Sequence, residues 1–157
     1  MLTLSNFRLI PTSLIEIEAL GLLWNLHGYA DFLGCDYSVQ SQTVKLSWRM
    51  SASANDYPEL PKYPSEWFDL LFSRVIYFEV SPRDPAMPLE EDAQLDTVSF
   101  MAASDETSEY LHNYMIPAFD PEVNPGDYHI LFRFRGGLMI RIGAEEGEFI
   151  LVENAPH

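Results

Sequence analysis

His27, Asp31, Cys35 and Asp36 crowd into one short span of this chain. Their types could support nucleophilic chemistry, with a thiolate attacking, an imidazole as base and a carboxylate orienting it. Their spacing matches no catalytic signature. A lone cysteine also serves as a small apolar core residue. His27, Asp31 and Cys35 therefore stand as a candidate pocket, with no residue assigned a catalytic role.

Other chemistry-bearing patterns carry less. Asp120 to Asp127 resembles a calcium loop, but Pro125 sits where the sharp-turn glycine belongs and Leu131 where the bidentate glutamate belongs. His27, His112, His129 and His157 are too dispersed for a zinc site, and Glu90, Glu91 and Asp92 are adjacent rather than convergent. Gly136-Gly137 lacks the lysine and helix of a phosphate-binding loop. The sequence thus assigns no metal and no cofactor.

Charge is more informative. Between Arg83 and Arg133 there is no lysine or arginine, yet the stretch holds Asp84, Glu90, Glu91, Asp92, Asp96, Asp105, Glu106, Glu109, Asp120, Glu122 and Asp127. The whole chain carries 24 acids against 9 bases, for a formal net charge of -15. Such a charge steers cationic partners inward. It opposes nucleic acid, whose affinity comes from neutralised phosphates, and anionic membrane surfaces. The expected partner is a basic protein. The expected contact set is Glu90, Glu91, Asp92, Asp105, Glu106, Glu109 and Tyr110. The bases leave two readings open. Lys45, Arg49, Arg133, Arg135 and Arg141 fall on polar strand faces, either pairing with nearby carboxylates or lining an anion-binding concavity.

These residues need elements to hold them. At 157 residues, 47% hydrophobic, the chain suits one domain spanning 1–157 with one core. Val44, Leu46, Trp48 and Met50 alternate with polar residues, which predicts a strand. Phe68 to Phe72 and Val75 to Val80 predict strands broken by a bend at Ser73-Arg74, and Thr97 to Met101 a shorter one. Residues 12–23 read either way: Ser13 and Glu16 resemble a capping box, while Ile15 and Ile17 alternate with glutamates, and the alternation tips the choice to strand. A short helical turn is expected within Leu22 to Leu33, and another near Glu106 to Tyr114.

Tyr128 to Phe134 and Leu138 to Ile142 alternate on either side of Gly136-Gly137, predicting a hairpin. A two-residue turn would set Arg133 opposite Ile140, and directly paired residues share a face. A loop of Arg135, Gly136 and Gly137 instead pairs Phe134 with Leu138 and Phe132 with Ile140. That loop, with a glycine at positive φ, is the expectation. A further turn at Glu145 to Gly147 then leads into Phe149 to Val152 as the third strand of a meander. The fold class is mainly β, at the margin of α+β. It is an antiparallel sheet or two-layer sandwich with long loops and minor helix.

Cys35 is the sole cysteine, so no internal disulfide forms and a reducing compartment is expected. The apolar run at Leu20 to Leu26 follows Glu16 and Glu18 and has no basic region before it, which speaks against a signal peptide. A cytoplasmic location follows as the expectation.

Three features taken together resemble small bacterial immunity proteins of polymorphic toxin systems. They are residues 32–38 (Phe-Leu-Gly-Cys-Asp-Tyr-Ser) leading into the strand at Val44 to Trp48, the later strand region from Phe68 to Val80, and the closing hairpin with its Gly-Gly turn. Where such families have Phe-His-Asp, this chain has Tyr29, Ala30 and Asp31. The resemblance carries over no functional residue. It implies a cytoplasmic protein that neutralises a toxin by tight binding. Three readings therefore go forward: a non-enzymatic acidic interaction protein, a small enzyme or ligand-binding domain at His27, Asp31 and Cys35, and a homo-oligomer joined through a sheet edge.

Overall fold

The computed structural model describes residues 1–10, 12–51, 54, 56–108, 120–124 and 126–153. Its strands are β1 (Thr3–Leu4), β2 (Phe7–Ile10), β3 (Ser13–Ala19), β4 (Leu22–Asn25), β5 (Ala30–Ser38) and β6 (Thr43–Met50). They continue as β7 (Trp67–Ser73), β8 (Tyr77–Ser81), β9 (Leu95–Ala102), β10 (Tyr128–Phe134), β11 (Met139–Gly143) and β12 (Glu146–Val152). The fold is mainly β, with 53% of the described residues in strands. No helix among the described residues is long and apolar enough to cross a membrane.

Three sheets share one core. A five-stranded sheet has the order β1-β12-β7-β6-β5, a four-stranded sheet β8-β11-β10-β9, and a three-stranded sheet β2-β3-β4. All pairings are antiparallel except the short parallel contact of β1 with β12. Alternation explains the five-stranded sheet. Val44, Leu46, Trp48 and Met50 point inward with Phe68, Leu70 and Phe72, and all are buried. Trp48 meets Phe132 and Phe134 of the facing sheet at 6.3 and 6.0 Å between ring centroids. Phe32 reaches Phe134 while Tyr37 reaches Phe78, so β5 runs across the facing sheet rather than along it.

The closing hairpin has the expected register. Phe132 pairs with Ile140, the Phe134 amide donates to the Leu138 carbonyl at 2.9 Å, and Gly137 adopts φ +87°. Residues 12–23 form strands β3 and β4; the Ser13 hydroxyl does bond Glu16, but side chain to side chain within the strand.

Two expectations fail. The helical turn within 22–33 is absent, because the Asn25 side chain accepts from the His27 amide and Gly28 at φ +81° reverses the chain between two strands. The meander also fails, since β12 joins the other sheet. The reason lies in a double crossing. Arg74, at φ +51°, turns the chain from β7 into β8, and Glu145 turns it back from β11 into β12. Arg74 binds both Glu145 and Glu146, clasping the two crossings side by side. Alternation alone cannot reveal a change of sheet, because it continues unbroken through the corner.

Candidate functional site

The acidic segment after β8 is built into the fold. Its 3-10 turn, Leu89–Ala93, wraps the loop of Arg135, Gly136 and Gly137. The Gly136 amide donates to the Glu91 carbonyl, the Arg135 amide to Gln94, and the Asp84 amide to the Gly136 carbonyl. Side chains finish the staple: Arg83 pairs with Asp92 at 2.6 Å and Arg135 with Glu91 at 2.9 Å. Glu91 and Asp92 are therefore engaged within the molecule, whereas Glu90 and Glu106 are exposed and form no ion pair among the described residues. Asp105 is half-buried, its carbonyl held by Arg141. Glu109 and Tyr110, and most of the helical turn expected near Glu106 to Tyr114, lie outside the described residues.

Gly136 makes this staple possible. A Cβ there would meet the Asp92 carboxylate oxygen at 2.1 Å. That carboxylate sits at the end of a side chain that can turn away, at the expense of its bond to Arg83. Gly136→Ala is expected to cost only about 1 kcal/mol but to loosen residues 81–94. Limited proteolysis checks this: cleavage should concentrate in 81–94 in the variant.

His27, Asp31 and Cys35 are not assembled as a triad. His27 Nδ1 lies 2.7 Å from the Leu95 carbonyl oxygen. Asp31 accepts from Arg49 at 2.9 Å and from Gln94 at 3.1 Å. Both thus meet the start of β9, and both have structural partners. Cys35 is exposed on β5 and borders a groove of about 470 Å³ shared with Leu33, Asp36, Lys45, Arg49 and Trp67. Partial desolvation, with the Asp36 carboxylate beside it, pushes the Cys35 thiol up to about 11. It is protonated near neutral pH and is a poor nucleophile.

Of the two readings for the bases, pairing with carboxylates holds for Arg49 and Arg135, whereas Arg141 does not lie on a solvated face but is buried at 3% exposure. Its Nε donates to His129 Nδ1 at 2.9 Å, and its two Nη groups reach the carbonyls of Asp105 and Ala103 and the Thr107 hydroxyl. The Tyr77 ring lies 4.8 Å from the guanidinium carbon and stacks on the His129 ring. Glu79 accepts from the hydroxyls of Tyr77 and Thr107. Leu131, Met101 and Met139 form a second apolar cluster. Sequence reasoning missed this cluster by taking the outer face of β10 and β11 as solvated. One signal existed: the hairpin register sets Gly143 opposite His129, and a glycine inside a strand marks a close approach.

No family model matches this chain, and neither a curated protein nor a solved structure matches it.

Proposed function

We propose that this is a non-enzymatic binding protein that captures a basic protein through exposed carboxylates. One observation supports it above the others: the chain's own cations are largely consumed. Arg8, Arg49, Arg74, Arg83 and Arg135 are ion-paired, and Arg141 is enclosed among neutral acceptors. Exposed carboxylates at Glu59, Glu66, Glu90, Glu106, Glu122 and Glu153 form no ion pair among the described residues. The outer surface is therefore left strongly negative, which favours fast, salt-sensitive capture of a cationic protein over binding to nucleic acid. Glu90 and Glu106 are the members of the expected contact set free to meet it. In this reading the partner is a toxin of the class that the immunity-protein resemblance implies, and the protein acts in the bacterial cytoplasm, where a lone exposed thiol stays reduced.

Affinity capture from native extract, at low and high ionic strength, identifies the partner. Its association rate is then measured with wild type and with the Glu90→Lys, Glu106→Lys double variant. The variant is expected to associate about tenfold more slowly at low salt, with the difference closing at high salt. Equal rates, or a wild-type rate indifferent to salt, would overturn the proposal.

A second reading has the groove at Cys35 in its favour. With a protonated thiol at its wall, that groove would hold a small ligand rather than attack one.

A further inference from the structure

The buried Arg141 is anchored in a way that depends on one proton. Its Nε–H can only donate, so His129 Nδ1 must present a lone pair. The neutral imidazole with its proton on Nε2 is the one form that satisfies this. The ring has no room to swing aside. Its Nε2 lies 2.5 Å from where a Cβ on Gly143 would sit, and Tyr77 covers its face at 4.8 Å. Adding a proton to Nδ1 would set two donors and two positive charges 2.9 Å apart. Relief then falls to Arg141, whose other bonds help hold residues 103–107 against the sheet, beside the Thr107–Glu79 bond and the Ala103 amide bond to the Asp127 carbonyl.

We propose that the His129–Arg141 pair is a proton-operated latch: protonating His129 releases the segment Ala103–Thr107, with its Asp105 and Glu106 carboxylates, from the outer face of the four-stranded sheet. The latch goes beyond the partner reading and needs no partner. Where that reading holds, the latch governs how Glu106 is presented.

The groups facing His129 set the direction. Burial and the Arg141 charge hold it below its ordinary value, while Asp127 works the other way. From β8, Tyr77 and Glu79 lie beside the pair, with Glu79 committed to two hydroxyls; from β9, Met101 is apolar; from the loop, Asp105 gives its carbonyl. Because the folded value is depressed, His129 stabilises the fold fully above about pH 6.5, its ordinary value, and that contribution is lost as pH falls below it.

The test is nuclear magnetic resonance on the intact chain. The His129 ring is expected as the Nε2–H tautomer at neutral pH, titrating below ordinary histidine. Exchange at the Asp105 amide, corrected for intrinsic pH dependence, should rise at least tenfold as His129 takes up its proton. His129→Gln can offer an acceptor without titrating, so that exchange should lose its pH step. An Nδ1–H tautomer, or protection at Asp105 unchanged through the His129 midpoint, would overturn the latch. Should His129→Gln fail to fold, the wild-type titration decides alone. Because no partner enters the measurement, its failure is distinct from failure of the capture experiment.

Discussion

Trp24→Ala is expected to lower the free energy of unfolding by about 3–5 kcal/mol. Trp24 is fully buried and stands where the three-stranded sheet meets the five-stranded one. Its ring touches Tyr63, Phe68 and Phe149 at 4.5, 5.0 and 4.9 Å. Its Nε1–H donates to the Ala19 carbonyl at 3.0 Å. Alanine would leave a cavity lined by aromatic rings from β7, β12 and the loop before β7, which cannot close without moving a sheet. Trp24→Phe keeps much of the ring contact and loses the hydrogen bond, so its cost should be far smaller, about 1–2 kcal/mol. Urea denaturation of the two variants and wild type checks the order. Equal effects would show that the ring contacts do not join these sheets.

Gly143→Ala is expected to cost about 1–3 kcal/mol, and at the upper end of that range. The added methyl would lie 2.5 and 2.6 Å from Nε2 and Cδ2 of His129 and 3.0 Å from Cβ of Tyr77. Unlike the Asp92 carboxylate at Gly136, a stacked imidazole bonded to Arg141 has no free end to move. The variant should therefore lose both stability and the Arg141 anchor. Thermal unfolding reads the first, and faster exchange at the Asp105 amide at neutral pH reads the second. Wild-type exchange together with lower stability would show that the ring adjusts without letting go.

Much of the local architecture is legible in the residues. The phase of Phe132, Phe134, Leu138 and Ile140 around two glycines points to a three-residue loop, because a two-residue turn would set Arg133 opposite Ile140 on the apolar face. The strand at Thr43 to Met50 and the bend at Arg74 follow equally from alternation and its interruption. The candidate site was less legible. Glu91 and Asp92 read as free charge in a Pro-rich loop, yet they meet Arg135 and Arg83, which are remote from or only loosely spaced against them in the chain. Their pairing depends on the loop folding over the hairpin turn, a contact with no local signature. His27, Asp31 and Cys35 are neighbours in sequence, but strand geometry sends them to different partners.

Order along the chain, the mainly β class and the excess of negative charge were determined by the sequence itself, since each depends on residue types and their period. Which sheet each strand joined, which carboxylates remained free and which arginine went inside were decided only in three dimensions. Sheet membership changes at the corners of Arg74 and Glu145, where the chain passes from one sheet to the other, and the burial of Arg141 rests on carbonyls brought from a distant loop. Such long-range closures are chosen by the packing of the whole core, and no periodicity within a single segment encodes them.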